Sequence, residues 1–207
     1  MAFIKKQQAE AVAKDERKQS RDCVSLVAEL ESSNPTARRW AARDLTDCPD
    51  ASAALVHRLQ HEDDVSVREV ILTTLTTLGD EVAVAGLVDC LKSEDAALRN
   101  EAIEAMKQLP DEVAPIMRRL LDDANPDVRI FAVNILESLR HPEVEAWLIS
   151  VIANDQQLNV CATAVDLLGE VGTAAARAPL QQLKARYAEE PYIQFAADVA
   201  LKRINGD

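Results

Sequence analysis

The chain has 207 residues, enough for one extended domain or two small ones, and is 48% hydrophobic but only 3% aromatic. Its formal net charge of -12 argues against a nucleic-acid ligand, because phosphate-backbone binding needs clustered lysine and arginine. No window approaches the roughly 20 apolar residues of a membrane span, and no signal-peptide-like stretch opens the chain, so the expected setting is the cytoplasm.

Charge is uneven along the chain. Residues 1–21 hold six basic and three acidic side chains, and the remainder holds 17 and 32. Residues 3–20 read as an extra polar, lysine-rich helix, either a cap or a basic arm. Its apolar residues Phe3, Ile4 and Val12 are too few for a membrane face. From residue 22 a block recurs about every 30 residues. It appears as Asn34-Pro35-Thr36-Ala37-Arg38, Asp64-Val65-Ser66-Val67-Arg68, Asp95-Ala96-Ala97-Leu98-Arg99 and Asn125-Pro126-Asp127-Val128-Arg129, with weaker copies at Gln157 to Cys161 and Glu190 to Gln194. The last residues of these blocks are 30, 31, 30, 32 and 33 positions apart.

Each block opens a helix. Asn34, Asp64, Asp95 and Asn125 suit the N-cap, where a side-chain oxygen accepts an orphan backbone N–H. Proline follows at Pro35, Pro126 and Pro191, the first helical position, where its missing N–H is harmless. Three residues past the block come Ala41, Ile71, Ala102, Ala132, Ala164 and Ala197. Seven past it come Leu45, Leu75, Met106, Leu136, Leu168 and Leu201. These positions share one helical face and predict the core. Pro49, Gly79, Pro110, Pro142 and Gly172 break the helices. Partner helices are expected at about 22–32, 51–60, 82–92, 112–122, 142–153 and 173–186.

A repeat of this period predicts stacked supersecondary units. The expected fold is all-α, a right-handed α-α superhelix of about six helical hairpins over 22–207, with the extra helix in front. Cys23, Cys48, Cys90 and Cys161 lie far apart, without CxxC or zinc spacing, and read as small apolar packers in a reducing compartment.

The pattern resembles the HEAT-repeat proteins, and within them the short repeat of the phycobilisome-lyase HEAT-like kind. The residues that carry the resemblance are Asp64 to Arg68 leading to Leu78-Gly79-Asp80, Asn125 to Arg129, and Leu168-Gly169-Glu170-Val171-Gly172. That family includes scaffolds, adaptors, bilin-attachment subunits and a few metalloenzymes, so fold does not settle function. The resemblance implies that Arg38, Arg68, Arg99 and Arg129 form a ladder with acids in the turns. It also implies that the ladder lapses at Cys161 and Gln194.

His57 and His61, four apart on one helix, could share a metal. Metal-binding HEAT enzymes of the deoxyhypusine hydroxylase type use several His-Glu pairs, and here only His61-Glu62 exists, so no metal or other cofactor is expected. Trp40 with Asp44 is similar to the aromatic–carboxylate pair of HEAT-like alkylpurine DNA glycosylases, which also need a basic groove that this acidic chain lacks. No Gly-rich phosphate loop or nucleophile–base set is evident. The expectation is therefore a non-enzymatic adaptor, with a bilin-lyase subunit as the alternative and a metal-dependent hydroxylase behind it.

In a HEAT-like stack the second helices line the concave side. The residues expected there for a partner are Glu69, Glu104, Ile130, Val133, Asn134, Asp166, Phe195 and Val199. Acidic groups among apolar anchors suit a basic or amphipathic segment of another protein. Pairing of two copies through the N-terminal helix stays open.

Overall fold

The computed structural model describes residues 22–206. The N-terminal helix expected over residues 3–20 lies outside them. The chain forms two compact units, Met1–Thr74 and Leu75–Asp207. All regular structure among the described residues is helical.

The first unit opens with α1 (Cys23–Glu29) and α2 (Pro35–Asp44), which continues into a 3-10 turn (Leu45–Asp47). Then come α3 (Ser52–Leu59) and α4 (Val65–Leu78), the last of which crosses the division between units. The second unit continues with α5 (Glu81–Cys90) and α6 (Ala96–Met106). A broken segment follows, made of α7 (Pro110–Val113), a 3-10 turn and α8 (Met117–Leu121), and leads to α9 (Pro126–Leu136). The unit closes with α10 (Val144–Asn154), α11 (Leu158–Val171), a 3-10 turn, α12 (Arg177–Arg186) and α13 (Pro191–Asn205). The described residues thus pair into six hairpins, and the helix starts follow the sequence expectation within a few residues.

The cause of each start is local. Asn34, Asp64, Asp95 and Asn125 accept the N–H of Thr36, Ser66, Ala97 and Asp127 at 2.8–3.0 Å. Gln157 and Glu190 make no side-chain cap. Gly79 ends α4 at φ +58°, a backbone region that favours glycine.

The predicted core face is buried. Ala41, Ile71, Ala102, Ala132, Ala164 and Ala197 are all 0% exposed. Leu45, Leu75, Met106, Leu136 and Leu168 are buried as well, while Leu201, in the last repeat, is half-buried. Small residues let the second helices approach closely. A Cβ added at Gly169 on α11 would sit 3.5 Å from the Cα of Ala200 on α13. In the second unit α6, α9, α11 and α13 pack in succession, each against the next.

The expectation that all four cysteines pack as separate small apolar residues fails for two of them. Cys23 and Cys48 form a disulfide with Cα atoms 5.7 Å apart. Separation in sequence hid this, because an antiparallel hairpin returns the end of its second helix to the start of its first. Cys90 and Cys161 are free and buried. Among the described residues no helix is long and apolar enough to cross a membrane.

Candidate functional site

The block-ending residues organise the turns between helices. Arg38, Arg99 and Arg129 each donate through Nη1 to the carbonyl six residues earlier, Ser32, Ser93 and Asp123, at 2.6–2.8 Å. Cys161 keeps the same contact, its Sγ lying 3.4 Å from the Asp155 carbonyl. Gln194 keeps a variant of it, with Nε2 donating to the Lys184 and Tyr187 carbonyls.

Arg38 also donates through Nε and Nη2 to both oxygens of Glu62 at 2.7 and 2.6 Å, and Arg129 does the same to Asp155 at 2.6 and 3.0 Å. These bidentate pairs join one repeat to the turn of the next. Asp123, the acid that matches Arg99, pairs instead with Lys92 at 3.2 Å.

Burial alone would raise the Glu62 carboxyl. Arg38, the Asp64 N–H and Arg58 outweigh it and hold the group at about 2. Asp155 is likewise lowered, with burial opposed by Arg129 and the Gln157 N–H. Reading from sequence missed the acceptors two residues before each cap. Ser32, Glu62, Ser93, Asp123 and Asp155 accept the N–H of Asn34, Asp64, Asp95, Asn125 and Gln157. Their recurrence every 30-odd residues was the available signal.

Where the ladder loses its arginine, another fills the space. Arg186, on α12, donates to the Ala153 and Ile152 carbonyls at 2.9 Å and to Cys161 Sγ at 3.2 Å.

Neither free thiol is an activated nucleophile. Burial pushes Cys90 up to about 11, and it also raises Cys161. His57 and His61 lie with ring centroids 5.0 Å apart, and His61 Nδ1 contacts the His57 carbonyl at 2.9 Å. Among the described residues no group of three or more His, Cys, Asp or Glu could hold a metal. Trp40 is half-buried under the Arg43 guanidinium, 4.2 Å from its ring centroid. An open cleft of about 820 Å³ beside Trp147 and Arg129 has two of its lining charges already paired, Arg118 with Glu143 and Arg129 with Asp155.

The residues expected on the second-helix face differ in exposure. In the first unit Glu69 is exposed. In the second unit Glu104 and Asp166 are exposed, and Ile130, Asn134 and Val199 are half-buried. Phe195 is 68% exposed. Val133 does not belong with them. At 1% exposure it is core, because it stands four residues past the block and turns inward with Ala42, Leu72, Ile103 and Val165. Tyr192, which the sequence reading missed, is 53% exposed and donates its hydroxyl to Asp166 at 2.7 Å. Its position one turn before Phe195 was the sign. Lys107 bridges Glu104 and Glu137 at 3.1 Å, and Lys184 pairs with Asp198.

Known proteins extend this picture. The family profile described as HEAT repeats matches residues 24–107 and 113–202. The bilin biosynthesis protein PecE of Nostoc sp. strain PCC 7120 is 35% identical over 92 residues, covering 42% of this chain. The chain spans about a third of that relative, 36% of its length. Among solved structures, the complex of CpcE and CpcF of phycocyanin lyase from Nostoc sp. PCC7120 aligns with 90% of this chain and 95% of that one, at 19% identity and TM-score 0.39. A designed armadillo repeat protein aligns with 89% of this chain and 100% of its own, at 17% identity and TM-score 0.41. The likeness to PecE overturns the expectation that the chain stands apart from enzymes, since that relative is a bilin biosynthesis protein. With a profile match over most of its length, the chain belongs to the HEAT-repeat family.

Proposed function

We propose that this chain is a HEAT-repeat subunit of a bilin-handling enzyme assembly, and that it holds a basic, amphipathic segment of a partner protein on the second-helix face of its second unit. The observation that carries the proposal is Phe195, a large aromatic left 68% exposed on a helix whose opposite side is core. Tyr192 stands beside it, Ile130 and Val199 add half-buried apolar area, and Glu104 and Asp166 supply negative charge. Apolar anchors hold a helix in such a groove, while acids steer its approach and select a basic polar face. The bilin setting is supported by the likeness to PecE.

Two measurements test the two halves. Fluorescence anisotropy with a labelled basic amphipathic helical peptide reads the face. Binding that is unchanged in both Phe195→Asp and Ile130→Asp would sink the partner site. Titration of a free bilin into the protein, alone and with candidate partner subunits, reads the setting. A shifted visible band supports it, and a bilin spectrum indifferent to the protein in every mixture removes it.

A further inference from the structure

We propose that the Cys23–Cys48 disulfide is a thiol-exchange switch that holds or releases the N-terminal end of α1, the first helix of the first repeat. Three observations within the first unit carry it. First, α1 has seven residues, too few to persist without tertiary support. Second, its two ends are held differently. The C-terminal end is fixed three ways: Leu30 is buried, the Ser32 carbonyl accepts from Arg38 at 2.8 Å, and Glu31 pairs with Arg58 at 3.5 Å. At the N-terminal end Val24 is 81% exposed, Val27 is exposed too, and Leu26 is the one buried residue of the helix. The Asp22 cap reaches Ser25 of the same helix. Among the described residues, the covalent bond from Cys23 to Cys48, just past the 3-10 turn that ends α2, joins this end to the rest of the hairpin alongside the buried Leu26.

Third, access is selective. Cys23 is partly exposed, whereas Cys48 is buried, so the Cys23 side is the more accessible to an incoming thiolate and is assigned the attack. Attack there breaks the Cys23–Cys48 bond, forms a mixed disulfide at Cys23 and releases the Cys48 thiolate, which takes a proton from water. A second thiolate displaces the first from Cys23. Overall the protein disulfide gains two electrons and two protons from two small thiols, which leave as their own disulfide. The reverse exchange, with a small-molecule disulfide as oxidant, restores the bond. Cys90 and Cys161 are buried in the second unit and stay out of the exchange.

The test uses the full chain after treatment with glutathione disulfide or with dithiothreitol. Alkylation in denaturant followed by mass analysis should count two modified cysteines in the oxidised protein and four in the reduced one. Hydrogen exchange of the α1 amides should quicken roughly tenfold or more on reduction, with α3 unchanged. Cys23→Ser should match the reduced protein under both treatments. Two results would overturn the proposal: alkylation at Cys23 and Cys48 after the oxidising treatment, or α1 exchange that is equal in oxidised and reduced protein.

Discussion

Glu62 shows how much one side chain does in this fold. Its carboxylate is buried and accepts from Arg38, Arg58 and the Asp64 N–H, so neutralising it removes the anion that two guanidinium groups share. Glu62→Gln should cost about 3 kcal/mol, read by urea unfolding at pH 7. The pH dependence has a definite sign. The folded value of about 2 lies below the ordinary 4.5, so the stabilisation is fully present above pH 4.5 and is lost as pH falls toward 2. It amounts to on the order of 3 kcal/mol. Unfolding curves between pH 7 and pH 2.5 should be flatter for Glu62→Gln than for wild type; parallel curves would contradict this account.

Cys161 and Arg186 form a second residue-level case. Restoring the block arginine with Cys161→Arg would place a second guanidinium where Arg186 already caps the Ile152 and Ala153 carbonyls. The substitution should destabilise by about 3 kcal/mol, and Arg186→Ala by about 2 kcal/mol. The double variant should recover at least about 1 kcal/mol relative to their sum. A thermal-unfolding double-mutant cycle that comes out additive would show that the two do not share the site.

Among elements, the second helices determine whether the repeats stack. Their contact positions are alanines or a branched residue at 0% exposure, which leaves no room for a larger side chain. Ala132→Glu, on α9 between α6 and α11, should cost more than about 3 kcal/mol by overpacking and by burying an unpaired charge. Chemical denaturation checks this; a loss under about 1 kcal/mol would mean that the helices separate there at little cost. Helix boundaries were legible from caps and prolines because those signals are local. The break of the fourth first helix into α7, a 3-10 turn and α8 was less so, since Pro115 interrupts a segment that packing against neighbours nevertheless keeps helical.

For the whole molecule, the open question is which face receives a partner. Phe195→Asp should leave helicity intact and stability within about 0.5 kcal/mol, as expected for an exposed position. It should weaken binding of a basic amphipathic peptide by tenfold or more. Circular dichroism alongside anisotropy separates the two effects, and loss of folding would show that Phe195 is covered by the rest of the chain. Of the residues expected on the second-helix face, Glu69, Glu104, Asp166 and Phe195 are exposed, because each stands one or five residues past its block and so points the same way on its helix. Val133 was misplaced because an apolar residue four past the block looks the same in sequence whether it faces partner or core. Tyr192 was overlooked because its partner, Asp166, lies on the neighbouring repeat.

The sequence alone determined the repeat, the helix starts and the alanine seam, since caps, period and residue size act within one helix turn or recur at one spacing. Only the tertiary structure decided what depends on contacts between helices. It joined Cys23 to Cys48 across a hairpin, set Arg186 in the gap left at Cys161, matched Arg38 to Glu62 and Arg129 to Asp155, and turned Val133 inward while leaving Phe195 exposed. Each of these depends on which atoms of distant residues come within a few ångströms, and chain spacing carries no record of that distance.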